Sequence, residues 1–262
     1  MCRFKSGIIL KDRVFIPDYD SHTDMLEELK IADTEDNAKR LFVRAELVPQ
    51  GDDVFTPVAS WKYHVDQDIL PEWYVAEVDE RRMREAVTEW AKEHIHVGEK
   101  IERIDSGTHW IKDCKVGSIY GSAKVKYICD SAEVGSIYGS AKVKYICDSA
   151  KVKNIYGSAK VKYICDSAEV GSICDSAEVG YICDSAEVGS IYGSAEVGYI
   201  YGSAKVENIC DSAEVKTSKY SIWKHIKSVC IKDKAVIIDR YNNKIYHSGA
   251  FETVIAGGQK DE

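Results

Sequence analysis

Residues 120–155 read YGSAKVKYI, CDSAEVGSI, YGSAKVKYI, CDSAKVKNI, four nine-residue units set end to end without a gap, and the pattern runs on to Val215. Each unit is Tyr or Cys, Gly or Asp, Ser, Ala, Lys or Glu, Val, two variable residues and Ile. A repeat of this period decides the architecture before any other feature is weighed. Three positions are apolar in nearly every unit: the Ala, the Val two residues on, and the Ile three residues after that. Ala-x-Val is the alternation of a short strand with one buried face. A helix fails on phase, because nine residues make two and a half turns and would reverse the buried face from each unit to the next. The Gly or Asp beside Ser supplies a corner at each unit boundary.

A second period lies inside the first. At the eighth position Tyr127, Tyr145, Tyr163, Tyr181 and Tyr199 recur every 18 residues, while the units between carry Ser136, Asn154, Ser172, Ser190 and Asn208. Two nine-residue halves therefore make one coil. With coils stacked at about 4.8 Å, like residues lie above like. The expected fold is mainly β: a nonapeptide-repeat parallel β-solenoid of roughly five coils, about 25 Å long by the same spacing, built on nearest-neighbour stacking.

Around this array the sequence divides into an α+β domain over 1–103, the solenoid over 104–216 and a β-rich cap over 217–262. The ends of the stack are open sheet edges that need covering, and both flanking segments are expected to do so. In the first domain, Ile8–Leu10 and Val14–Ile16 suggest a hairpin, Ser21 a helix start, and 41–48 and 61–65 alternating strands. The longest helix is expected over 79–95, with Met83, Val87, Trp90 and Ala91 on one face. Beyond the repeat, Ala235–Asp239 and Ile245–His247 read as strands joined by a turn at Asn242-Asn243.

The start MCRFKSGIIL and the segments RLFVRAELVPQ and WKYHVDQDILPEWY resemble those of uncharacterised proteins encoded by phages and prophages of gut bacteria, in which such a domain is joined to short solenoid repeats. The resemblance covers roughly residues 1–100. It implies a mobile-element context and carries across no catalytic residue.

The net charge is −8, with the acidic excess in residues 1–103; this is not the basic footprint of a duplex-DNA protein. No run of about 18 apolar residues is present to span a bilayer, and the start has no apolar signal core. A cytoplasmic protein, in the host cell if phage-encoded, is expected. Most of the nine cysteines occupy one repeat position, and no Cys-x-x-Cys occurs, so free thiols are expected rather than a disulfide or zinc scaffold.

Candidate chemistry is sparse. Cys2, exposed once Met1 is removed, would be a nucleophile with its own amino group as base; the competing reading is a small residue at a strand start. Asp66 and Asp68, with Glu72 nearby, have a spacing that can share a metal but equally suits turn and helix capping. His94 and His96 would face together on a strand, whereas at a helix end they would satisfy terminal carbonyls. No metal and no cofactor is expected. The repeat offers a surface instead: Lys124, Lys126, Tyr127, Lys142, Lys144, Tyr145, Lys160, Lys162 and Tyr163 fall on the same half-coils. Such a face fits binding of a macromolecular partner, a protein in the first instance. Single-stranded nucleic acid held by stacking and phosphate contact is the alternative, and pairing of flat faces into a homodimer is a third outcome. The plainer account is that tyrosine ladders brace the sheet and lysines keep it soluble. The unit lacks the GGxGxDxUx pattern of calcium-binding nonapeptides and the threonine ranks of an ice-binding face. A non-enzymatic binding protein is the functional expectation, and an enzyme or DNA-reactive protein using Cys2 the competing one.

Overall fold

The computed structural model describes residues 4–217, 230–231, 234–239, 244–247 and 250–252. The chain forms two compact units, Met1–Ile95 and His96–Glu262.

In the first unit, strands β1 (Lys5–Leu10), β2 (Val14–Phe15), β3 (Phe42–Val48) and β4 (Lys62–Val65) form one sheet in the order β2-β1-β3-β4. The expected hairpin is present, with Ile8 opposite Phe15 and Ile9 opposite Val14. Helix α1 (His22–Glu28) starts where Ser21 accepts the Asp24 N–H, a side-chain N-cap. Helix α2 (Glu35–Ala38) is likewise capped by Thr34. Helix α3 runs Ala76–His94, three residues earlier at its start than the apolar spacing indicates. The extension has a local cause: the Asp79 carboxylate accepts the Val75 N–H at 2.8 Å and satisfies an end donor. Met83, Val87 and Trp90 are buried along α3, as their spacing requires. Ile8, Leu10, Met25, Leu26 and Phe42 form a core between α1 and the sheet.

The second unit is a parallel β-solenoid of about seven turns. Every repeat strand pairs with the strand 18 residues away: Val143 lies opposite Val125 and Val161, and Ile146 opposite Ile128 and Ile164. Alternate half-coils therefore build two sheets. One, the tyrosine-bearing sheet, contains Lys124–Cys129, Lys142–Ile146, Lys160–Ile164, Glu178–Ile182 and Glu196–Ile200; the other contains Lys115–Ile119, Glu133–Ile137, Lys151–Ile155, Glu169–Ile173, Glu187–Ile191 and Lys205–Ile209. The Ala, Val and Ile of each unit point inward into one continuous core. Burying a Val or Ile side chain is worth roughly 1.5–3 kcal/mol relative to exposure, and each half-coil repeats that gain. Because Val and Ile are three residues apart rather than two, both variable positions between them face outward.

Most corners are closed by the Ala N–H donating to the carbonyl of the first residue of its unit, as Ala150 does to Cys147 at 3.2 Å. The second residue of the unit has a left-handed backbone at every corner: φ is +67° at Gly139 and +58° at Asp148. That conformation suits Gly, and Asp or Asn among other residues. Asp adds a bond that Gly cannot make. The Asp148 carboxylate accepts the Asp130 N–H one coil before, and Asp166 in turn accepts from Asp148.

Seven turns exceed the five read from the tyrosine column, because the outer coils are not written in the repeat's own residues. Lys100–Ile104 pairs in parallel with Lys115–Ile119, and Thr108–Lys112 with Lys124–Cys129, which places Trp110 opposite Tyr127. At the other end Glu214–Thr217 continues the tyrosine-bearing sheet and pairs with Val236–Asp239 at an offset of 22, not 18. From there pairing turns antiparallel, through Lys244–His247 to Ala250–Glu252. The strands expected at Ala235–Asp239 and Ile245–His247 are thus present, while the Asn242-Asn243 turn lies outside the described residues. Among the described residues, no helix is long and apolar enough to cross a membrane.

Candidate functional site

The eighth-position tyrosines form one ladder. Ring centroids of Tyr127, Tyr145, Tyr163 and Tyr181 are 5.0 Å apart along the column, and Tyr199 follows at 5.6 Å, with interplanar angles of 11–19°. The spacing is that of the strands themselves, so the backbone ladder sets the stack. A second ladder runs up a corner through Tyr120, Tyr138 and Tyr156. Stacked pairs of this kind add about 0.5–1.5 kcal/mol each beyond area burial.

Beside the eighth-position ladder stand two rows of lysine. Lys124, Lys142 and Lys160 occupy the fifth position of successive half-coils, and Lys126, Lys144 and Lys162 the seventh. Between the rows runs a groove of about 480 Å³ floored by Val125, Val143 and Val161. Lys144 Nζ lies 4.9 Å from the Tyr145 ring centroid and Lys162 Nζ 5.2 Å from that of Tyr163, so part of the lysine layer rests on the aromatic one. Structure and sequence agree on which residues share this face.

The two sheets differ in how their charge is arranged. On the second sheet, lysine and glutamate are mixed along the column and pair between coils: Lys115 with Glu133 at 3.4 Å, Lys151 with Glu169 at 3.0 Å, and Lys205 with Glu187. On the tyrosine-bearing sheet, three lysines succeed one another before Glu178, Glu196 and Glu214 take over the column. Among the described residues, only Lys160 of the six lysines forms an ion pair, with Glu178 at 2.7 Å. Like charges stacked across a sheet oppose each other, so this face holds positive charge that its own side chains do not neutralise.

The cysteines of the repeat fall at the corners. Cys129, Cys147, Cys165 and Cys183 form one column, and the thiols of Cys129 and Cys147 are buried, donating to carbonyls of the coil before. Burial, and then the carboxylates of Asp130 and Asp148, pushes the Cys129 thiol up to about 12. Such thiols are poor nucleophiles. Cys2 lies outside the described residues.

The remaining candidates separate. His94 ends α3 with Nδ1 2.6 Å from the Trp90 carbonyl oxygen, the carbonyl-satisfying role open to it from sequence, and Nε2 2.9 Å from Asp18. His96 instead stacks on His109, Nε2 3.1 Å from Nδ1, with Glu99 at its other nitrogen. Asp66 meets neither Asp68 nor Glu72 in a ligand cluster; it converges with His22 and Glu46, the donor atoms of all three lying within 4.8 Å of one another. Sequence reading missed both partners. His22 was legible only as the first residue of a capped helix, and Glu46 only as one residue of an alternating strand.

The chain matches no family model, no curated protein and no solved structure.

Proposed function

We propose that this is a non-enzymatic binding protein whose lysine-and-tyrosine face docks an acidic surface on a protein partner. The observation that carries this reading is the run of five lysines on one sheet without carboxylate partners among the described residues, set against the pairwise ion pairs of the opposite sheet. A regular, rigid face with uncompensated charge favours encounter and register with a complementary surface. The resemblance of residues 1–100 to phage and prophage proteins supports, by association, a partner in the bacterial host or its defences.

Single-stranded nucleic acid is the second reading, favoured by the same lysines. Its stacking component meets an obstacle. Ring faces within the ladder are covered by neighbouring rings at 5.0 Å, and admitting a base would require about double that separation, which the backbone ladder forbids. Phosphate contact alone remains, with weak and salt-dependent affinity.

The test compares the full chain with a Lys126→Glu, Lys144→Glu, Lys162→Glu variant. Proteins crosslinked in bacterial lysate by the first and lost by the second, with a dT oligonucleotide bound weakly or not at all, are the expected result. An identical captured set for both chains overturns the reading.

A further inference from the structure

We infer that the first unit holds a divalent metal ion at His22, Glu46 and Asp66, a site distinct from the solenoid face and independent of the binding function proposed for it. Three separate elements deliver the donors: His22 opens α1, Glu46 lies in the middle of β3, and Asp66 follows the last residue of β4. Their ligand atoms fall within 4.8 Å of one another. A cation about 2.0–2.2 Å from each donor would draw the three ligand atoms closer together to close its shell.

The ring of His22 presents one nitrogen to this cluster. Nε2 faces the Ala45 carbonyl oxygen at 3.3 Å, and a carbonyl can only accept, so this contact is a hydrogen bond in the tautomer with the proton on Nε2. In that tautomer the neutral ring has its lone pair on Nδ1. That nitrogen lies 3.3 Å from the Asp66 carboxylate, another acceptor. A cation between Nδ1 and the carboxylate, like a proton on the ring, makes that contact attractive. Orientation of a ligating imidazole by a backbone carbonyl on its other nitrogen is the usual arrangement at metal centres.

Glu46 makes the second, independent argument. It is 3% exposed, and no lysine or arginine among the described residues forms an ion pair with it. Ser6, directly across the strand ladder, offers a hydroxyl at 3.5 Å. A carboxylate withdrawn from water needs a cation, a proton or several good hydrogen bonds, and among the described residues this one has a single long one. Asp66 is held in place by its own N–H, which donates to the Arg44 carbonyl at 2.9 Å, while the neighbouring Gln67 side chain bonds Arg44 and Phe42 of β3. The half-exposed Asp66 side chain leaves the remaining coordination positions to water. One imidazole with two carboxylates suits a borderline cation of the Mn²⁺, Fe²⁺, Zn²⁺ series.

Mn²⁺ is the probe of choice, because the chain's thiols compete poorly for it. Titration of the full chain, followed by loss of the free-ion electron paramagnetic resonance signal, is expected to show one bound Mn²⁺ per chain. Glu46→Gln and Asp66→Asn should each weaken binding at least tenfold. Asp66→Asn changes a half-exposed side chain, so it keeps the test valid if the buried substitution disturbs folding. No bound Mn²⁺ at millimolar concentration, or binding unaltered by Asp66→Asn, overturns the site. Nitrogen-15 spectra of His22 add a readout that folding alone would not move. Nδ1 without a proton when Zn²⁺ is in excess supports the site; a doubly protonated ring that persists under those conditions overturns it.

Discussion

Lys160 and Glu178 occupy the same position of successive coils, and their side chains meet at 2.7 Å where the column changes from lysine to glutamate. The contact is a boundary. On one side of it the tyrosine-bearing sheet is basic through Lys124 and Lys142, and on the other it is acidic through Glu196 and Glu214.

Glu178→Lys moves that boundary by one coil. Both partners are about half exposed, so the pair itself contributes no more than about 1 kcal/mol. Stability should change by less than that amount at low and at high ionic strength, because the introduced lysine faces Glu196 one coil on and restores an ion pair there. Binding of an acidic partner should tighten in the same variant, since the lysine run lengthens. Urea denaturation at two salt concentrations measures the first effect and crosslinking yield the second. A variant that is less stable and also binds more weakly would contradict the assignment of this face.

Asp148 tests the corners. Its φ is +58°, and its carboxylate accepts the Asp130 N–H from the coil before. Asp148→Ala removes the acceptor and leaves a Cβ in the left-handed region, at a cost of roughly 1–2 kcal/mol for the conformation alone. Asp148→Gly loses the bond but relieves the strain, and Asp148→Asn retains an acceptor in a residue that tolerates the conformation. The expected order of stability is Asp, Asn, Gly, Ala. Urea midpoints decide it, and Ala above Gly would show that the backbone conformation is not what selects the residue.

The thiol column sets a pH dependence. Burial first, and adjacent carboxylates second, raise Cys129 and Cys165 from 9.0 to about 12 in the folded chain. Above pH 9 the unfolded chain releases these protons while the native chain keeps them, so the native state binds more protons and stability falls as pH rises. This contribution is complete below about pH 9 and is lost between about 9 and 12. Melting temperature against pH, compared between the natural chain and a Cys129→Ala, Cys165→Ala variant, isolates the thiols from lysine and tyrosine titration. Labelling of the folded chain at pH 8 by a disulfide reagent should be slow and become rapid only in denaturant. Labelling at the rate of a free thiol would show that these corners are open.

The solenoid was legible because every contact that defines it is repeated at fixed separation. Tyr127 and Tyr145 announce their stacking by recurring at 18 residues, and Gly139 and Asp148 announce the corner by alternating at one position. The outermost coils were harder to read. Trp110 stands in the tyrosine column and Ile101 opposite Val116, but neither belongs to a written repeat. Their places follow from an apolar face that must match the coil beside it. Charge was legible residue by residue, yet its pairing was not. Lys115 and Lys142 occupy equivalent positions of the unit, and the 18-residue period names Glu133 and Lys160 as their neighbours, but only side-chain placement decides that Lys115 and Glu133 close to 3.4 Å.

Taken by itself, the amino-acid order determined the winding, the two faces and the inward set of Ala, Val and Ile, because nearest-neighbour stacking turns a linear period directly into a spatial one. Tertiary structure alone decided the meeting of His22, Glu46 and Asp66. They come from a helix start, a central strand and the chain beyond a third strand, and no local spacing encodes a convergence that depends on how an irregular α+β unit packs.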